Sequence, residues 1–425
     1  MSIATDIICN LLDLSVYLHR LILCIMERLF EKKNQLIKMT SLDIVRETMH
    51  RILWDAPLIC IRGPRGVGKT TLMLQYIKQH YKPMSTDVLY CSLDSVYFST
   101  HSVLDLADKF YKNGGKHLFL DEVHKYATWS QEVKEIYDLY PDMRVVISGS
   151  SVLNILTGDA DLSRRCLSYD MQGLSFREFL RFYKGIDIPV HTLQNIIEHP
   201  EELCEEVLAK CHPLPYFKEY LKVGYYPFYI KHKVEYYSLI EQVSNYVVEA
   251  ELPQLFNVDI EMVRKIKALL SIMSNGLPFE VDATKLSGVI GAHRTTVINY
   301  LYMLAKAKLV NMLFAESKTI KKMQKPDKLY LENPNLLYAL SSTDRVEIGT
   351  ARETFVVNQM MEKHSIEYGK DKGDFKVDGR FTFEVGGQSK GFSQIAGVKD
   401  SYILADDIET PYGRKLPLWT IGFLY

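Results

Sequence analysis

The clearest change of pattern in the chain runs from Leu58 to Ile77. A short apolar run (Leu58, Ile59, Cys60, Ile61) gives way to a glycine-rich turn, then to apolar positions at helical spacing (Leu72, Leu74, Tyr76, Ile77). This order predicts strand, loop and helix. Val88 to Cys91, His117 to Leu120 and Arg144 to Ser148 repeat the strand signal, with helix-like stretches between them around Leu104 to Lys112 and Gln131 to Tyr140. Such alternation predicts a parallel α/β sheet, because parallel neighbours need a crossover that a helix supplies. After Leu174-Ser175-Phe176-Arg177-Glu178-Phe179 the strand signal stops and helices dominate to about Glu251. From Ile260 to Phe314 three helical stretches are separated by Asn275-Gly276 and by Gly288 to His293, while Leu309 to Phe314 and Lys328 to Leu331 read as two strands of a wing. The remainder reads as a helix over Glu353 to Lys363 and strands at Arg380 to Val385, Ser401 to Leu404 and Leu418 to Leu424, the last as the closing buried strand of a complete chain.

These transitions predict an α/β core over 40–174, an all-α lid over 175–251, a winged helix-turn-helix over 252–345 and a second α/β domain over 346–425. A length of 425 residues allows two to four domains at ~100–200 residues each. Residues 1–39 read as an extension. In its first part Ile7, Ile8, Leu11, Leu12, Leu21, Ile22 and Leu23 are interrupted by Asp6, Asp13, His19 and Arg20, a pattern too broken for a membrane span or a secretory signal. A misassigned start codon would account for it.

Composition narrows the class. At 47% apolar, 24% charged and 11% aromatic residues, disordered, collagenous and coiled-coil classes drop out. Lys plus Arg (51) nearly cancels Asp plus Glu (52), so contact with a nucleic acid must be regional. The seven cysteines are odd in number and contain no Cys-x-x-Cys, which argues against a disulfide framework or cysteine zinc site and for a cytoplasmic location.

The turn after the first strand, Gly63-Pro64-Arg65-Gly66-Val67-Gly68-Lys69-Thr70, matches GxxxxGK[ST] in the strand-to-helix context that gives the pattern its meaning. Its glycines permit backbone turns that aim successive N–H groups at phosphate, and the following helix adds its positive end. Lys69 is placed for the β- and γ-phosphate oxygens and the Thr70 hydroxyl for Mg²⁺, with Thr71 next in the helix. Leu118-Phe119-Leu120-Asp121-Glu122 supplies the acidic half: Asp121 toward the metal, Glu122 to orient the attacking water. Ser148 ends the next strand with a hydroxyl suited either to sensing the γ-phosphate or to a local turn hydrogen bond.

Together with Ile147-Ser148-Gly149-Ser150-Ser151, Leu162-Ser163-Arg164-Arg165 and Gly173-Leu174-Ser175-Phe176-Arg177-Glu178-Phe179, these motifs resemble the bacterial and archaeal AAA-type ATPases related to STAND and origin-recognition ATPases. The resemblance implies a P-loop NTPase core that binds ATP with Mg²⁺ and hydrolyses it. It implies an arginine finger at Arg165, with Arg164 as the neighbouring alternative, and nucleotide-dependent homo-oligomers. A guanidinium suits that role because its fixed fork of donors matches charge developing on a phosphate. Gly224-Tyr225-Tyr226-Pro227 resembles the lid motif of the same branch.

In the second half, His293-Arg294-Thr295-Thr296-Val297-Ile298-Asn299-Tyr300-Leu301 looks like a recognition helix. Val297, Leu301 and Leu304 would face the core, and Arg294, Thr295, Thr296 and Asn299 would meet DNA. Lys318, Lys321, Lys322, Lys325 and Lys328 form a basic wing that reads either as a phosphate-binding surface or as a solvated face. The tail resembles the PD-(D/E)xK nuclease-like domain that this family carries, through Glu353, Asp374 and Glu384. Asp374 and Glu384 form a vestigial metal site in that reading, because the position that needs lysine is Gly386. Lys390 lies further along, where a migrated lysine could substitute, and the simpler reading is a fold kept for binding or signalling with cleavage lost. The sequence therefore predicts a cytoplasmic ATPase switching on DNA or a DNA-associated partner. An ATP-dependent nuclease and a signalling or assembly ATPase that binds no nucleic acid are the alternatives.

Overall fold

Four consecutive apolar residues are fully buried only where both faces of a sheet are covered, and Leu58, Ile59, Cys60 and Ile61 are each without exposed surface in strand β1 (Leu58–Gly63). The computed structural model describes residues 26–151, 162–256, 258–275, 279–280, 282–316, 325–341 and 346–425. Strands β2 (Val88–Ser92), β3 (His117–Asp121) and β4 (Arg144–Ser150) stand where the apolar runs predict them. A fifth strand, β5 (Leu167–Asp170), completes a parallel sheet in the order β2-β3-β4-β1-β5. The sequence does not signal β5, because it is an exposed edge strand whose two apolar residues, Leu167 and Tyr169, form no run.

Register decides what this sheet presents. Gly63 lies opposite Ser150 and Leu120 opposite Ile147, so β1, β3 and β4 end side by side, with Gly63, Asp121 and Ser148 near one edge of the sheet. In parallel α/β sheets ligands gather at that carboxyl edge.

The chain divides into two units: residues up to Gly63 with Gly68–Met171, and Pro64–Val67 with Gln172–Tyr425. The first unit corrects the expectation for residues 1–39. Residues 26–39 are helical, Met26 and Leu29 join the core around Leu58, Leu89 and Leu118, and the buried Lys33 Nζ donates to the carbonyls of Ser85 (2.6 Å) and Val88 (3.2 Å). The remainder of that stretch lies outside the described residues.

In the second unit, helices Pro213–Val223 and Tyr236–Tyr246 precede a π-helical turn at Val247–Glu251. Helices Ile260–Asn275, Ala283–Ile290 and Arg294–Lys306 follow, with a small antiparallel sheet of β6 (Phe279–Glu280), β7 (Val310–Leu313) and β8 (Lys328–Leu331) in the order β6-β8-β7. Val297, Leu301 and Leu304 are buried, as their spacing predicts. The C-terminal sheet runs β13-β12-β11-β10-β9, comprising β9 (Ile366–Tyr368), β10 (Phe375–Val377), β11 (Phe381–Gly386), β12 (Ser401–Ala405) and β13 (Lys415–Pro417). β11, β12 and β13 are parallel, and β10 is antiparallel to both its neighbours.

Leu418–Phe423 departs from the expected closing strand and forms a 3₁₀ helix. Pro417 offers no N–H to continue a ladder, and the Thr420 hydroxyl donates to the Pro417 carbonyl (2.7 Å) and tightens the turn. Its buried residues Trp419, Ile421 and Phe423 share a core with Phe176, Phe217, Tyr220 and Phe355, so the stretches expected as lid and terminal domain are packed on common apolar ground. Among the described residues no helix is long and apolar enough to cross a membrane.

Candidate functional site

Asp121 is the last residue of a wholly buried strand, and its carboxylate is surrounded by hydroxyls. Oδ2 accepts from Thr70 Oγ1 (2.6 Å) and from the Tyr90 phenol (2.7 Å), while Oδ1 accepts from Ser148 Oγ and from the backbone N–H of Glu122 (3.0 Å). Burial and the neighbouring Asp121 push the Tyr90 phenol upward, which keeps it a donor. Four neutral donors orient the carboxylate without cancelling its charge, which is what a cation site requires. Of the two roles open to Ser148, the structure shows its hydroxyl in a local hydrogen bond, donating to Asp121. Tyr90 was missed by sequence reasoning, and the only available signal was a phenol inside an otherwise apolar strand next to β3.

At the other wall Gly68, with φ 98°, starts helix Lys69–His80 in a left-handed conformation that a side chain would strain. Lys69 is buried and its Nζ donates to the carbonyl of Gly63 (2.8 Å), which folds the ammonium back over the loop. Glu122 follows Asp121 with φ 54°, in the left-handed region, and 21% of its side chain is exposed. Its backbone N–H also reaches Ser148 Oγ (3.4 Å).

Within the second unit, Arg65 and Gly66 at the loop tip are held by residues between 226 and 251, in the stretch expected as a lid. Arg65 Nη1 pairs with Glu251 Oε1 (3.2 Å), and the guanidinium lies 4.2 Å from the centre of the Tyr246 ring. Glu251 is 1% exposed and sits on the π-helical turn; such turns inside helices are often functional. A Cβ at Gly66 would come within 2.9 Å of Phe228 and 3.6 Å of Tyr226, so the lid segment predicted at Gly224–Pro227 lies against this glycine. Arg165 is partly exposed and pairs with Asp138 (3.2 Å), whereas Arg164 is exposed.

The C-terminal carboxylates are treated differently. Lys328 corrects the expected wing: it is buried and its Nζ pairs with Glu353 (2.7 Å), whose carboxylate also accepts from the Tyr330 phenol (2.7 Å). Glu384 is 1% exposed and pairs with Lys390. A Cβ at Gly386 would meet Lys390 Cγ at 2.7 Å, so the Lys390 stem fills the space of the side chain that Gly386 lacks. Burial, then the Glu353 charge, raise Asp374 to about 6, with Glu384 adding to the rise and a hydrogen bond from Val385 N–H (2.8 Å) opposing it. Among the described residues no group of three His, Cys, Asp or Glu is arranged to hold a metal ion. Arg294, Thr295 and Asn299 are exposed and Thr296 is half-buried; Lys325 is exposed, and Lys318, Lys321 and Lys322 lie outside the described residues.

Residues 55–180 match the AAA domain family, and residues 214–347 match a domain of unknown function (DUF8612). A curated uncharacterized protein of Methanocaldococcus jannaschii is 25% identical over 317 residues, 71% of this chain and 66% of its own length. Among solved structures, a STAND protein with a tetratricopeptide repeat sensor from Pyrococcus horikoshii is 16% identical, covering 75% of this chain and 45% of its own at a TM-score of 0.28. Thermotoga maritima RuvB is 14% identical over 67% of this chain and 89% of its own, with a TM-score of 0.25. AMPPCP-bound DnaA from Aquifex aeolicus is 15% identical over 61% and 85%, with a TM-score of 0.26. The family match over residues 55–180 identifies an AAA-type P-loop ATPase domain there, a nucleotide-binding class that works with a divalent metal. Its hydroxyl-lined Asp121 and its folded-back Lys69 fit that pair of ligands.

Proposed function

We propose that the chain hydrolyses ATP with Mg²⁺ and serves as a nucleotide switch on DNA or a DNA-associated partner. The observation that carries this reading is the single carboxylate of Asp121 held by Thr70, Tyr90 and Ser148, with Glu122 directly beyond it. Bound ATP with Mg²⁺ supplies the polarised γ-phosphate. Lys69 and the loop amides would bind its oxygens, Thr70 and Asp121 would hold the metal, and Glu122 would orient a water and take its proton. Arg165, on a segment just before the edge strand β5, is the candidate finger for a neighbouring subunit's nucleotide, a role that requires it to leave Asp138.

A DNA partner is supported by the exposed Arg294, Thr295 and Asn299 at the start of a helix that follows a short turn, the pattern by which a recognition helix enters the major groove. ATP turnover by the pure protein, alone and with duplex or single-stranded DNA, tests both parts. Stimulation by DNA that is lost in Arg294→Ala supports the switch, and turnover indifferent to DNA favours the signalling or assembly ATPase that binds no nucleic acid.

A second reading, ATP-dependent cleavage of nucleic acid by the C-terminal unit, is favoured by one observation. Lys390 occupies the side-chain space beside Gly386 with its ammonium on Glu384, so a lysine stands where the nuclease pattern needs one. Nicking of plasmid DNA with Mg²⁺ or Mn²⁺ that disappears in both Asp374→Ala and Lys390→Ala would establish it. Intact plasmid after hours would leave the site vestigial.

A further inference from the structure

Glu122 has a conformation that needs support. Its backbone is left-handed, an arrangement that costs a non-glycine residue on the order of 1–3 kcal/mol and persists only where neighbours enforce it. Backbone bonds account for part of the enforcement: Glu122 N–H donates to Asp121 Oδ1 and the Glu122 carbonyl accepts from Lys125 N–H (2.9 Å). These fix the main chain and do not by themselves aim the carboxylate.

The structure offers His124. Its side chain is only 2% exposed, and its two ring nitrogens face different elements. The backbone N–H of Ser150, at the end of β4, donates to Nδ1 (3.4 Å), and Nε2 stands 3.5 Å from Glu122 Oε2. A backbone N–H can only donate, so Nδ1 is the acceptor and the proton of the neutral ring belongs on Nε2, aimed at the carboxylate. We propose that His124 is a positioning residue for Glu122: tied to Ser150, it presents an N–H that holds the carboxylate in line with the attacking water. The tie also joins the end of β4, two residues beyond Ser148, to the residue that follows Asp121, so one segment braces both carboxylates. A separation of 3.5 Å shortens to a hydrogen bond with a small carboxylate rotation, and such bonds are commonly long before substrate is bound. The proposal rests on the reading of Glu122 as the water-orienting group.

The test uses the full chain and four variants, with two readouts, steady-state ATP turnover and affinity for a non-hydrolysable ATP analogue. His124→Phe keeps the ring and removes the N–H. Turnover should fall by about 10–100-fold, the usual cost of losing an outer partner that orients a working ligand, while analogue affinity stays within about twofold. His124→Gln places an amide N–H near the Nε2 position and should recover most of the loss, whereas His124→Asn, whose amide reaches only the Nδ1 position, should not. In a Glu122→Gln background, adding His124→Phe should change nothing further. Wild-type turnover in His124→Phe, equal behaviour of the Gln and Asn variants, or an additional loss in the Glu122→Gln background would each overturn the proposal. Should His124→Phe fail to fold, the contrast between Gln and Asn carries the test alone. Wild-type turnover in Glu122→Gln by itself would instead sink the hydrolysis reading, whatever the His124 variants do.

Discussion

The two units of this chain handle buried carboxylates in opposite ways. In the first, Asp121 is surrounded by hydroxyls and a backbone N–H, groups that orient an anion and leave its charge for a cation. In the second, Glu353 and Glu384 are each matched by a lysine, Lys328 and Lys390, so their charge is already spent inside the protein. The difference separates a carboxylate oriented by neutral donors from one matched by a counter-ion. Neutral donors mark a vacancy in the charge balance; an ion pair closes it. The second unit also contains Glu332, a buried carboxyl with no ion pair among the described residues, which burial raises to about 7.

The largest effect that would break this comparison is catalytic. Glu122→Gln should cut ATP turnover by about 10²–10⁴-fold while ATP remains bound, because it removes a base and leaves the phosphate cradle, whereas Lys69→Ala should abolish binding itself. Nucleotide retention on a filter with turnover measured in parallel separates the two outcomes.

Next comes Lys390→Ala, which strands a buried carboxylate. We expect a loss of about 3 kcal/mol in denaturant unfolding, and near-complete recovery when Glu384→Gln is added, since breaking one side of a buried pair costs more than removing both. If the single variant unfolds like wild type, Glu384 is solvated well enough to be a free ligand, and the contrast with Asp121 fails.

Glu332→Gln gives the pH arm. A carboxyl whose folded value is raised holds a proton between pH 4.5 and about 7 when the unfolded chain does not, so stability is lost as pH rises through that window. The variant should match wild type near pH 4 and exceed it above pH 8, by up to the order of 3 kcal/mol. Parallel stability curves across that range would show that the carboxyl is ionised in the fold.

The smallest expected effect is that of Tyr90→Phe. It removes one of the hydroxyls on Asp121 and should cost about 1 kcal/mol of orientation, read as a several-fold rise in the Mg²⁺ concentration needed for half-maximal turnover. No change would mean that Thr70 and Ser148 suffice.

Much of the first unit was legible in the sequence because its signals are local. A run of apolar residues next to a glycine turn specifies strand and loop regardless of what lies elsewhere, and Lys69, Thr70, Asp121 and Glu122 follow from fixed spacing to those elements. β5 was not legible, because an edge strand buries too little to impose a pattern. The second unit was less legible for the same reason in reverse. β9 and β10 are three residues each, and their apolar positions are set by partners distant in the chain.

The sequence by itself determined the phosphate loop, the acidic strand end and the alternation that makes a parallel sheet, since each depends on contacts within a few residues or on burial of a whole run. Only the tertiary structure decided what those side chains face. Ser148 turns to Asp121, Tyr90 joins it from the neighbouring strand, His124 ties Ser150 to Glu122, and Arg65 pairs with a glutamate 186 positions away. Lys328, in a wing by its spacing, is drawn inward beside the half-buried Glu353, because a carboxylate largely removed from water needs a counter-charge more than a surface lysine needs solvent.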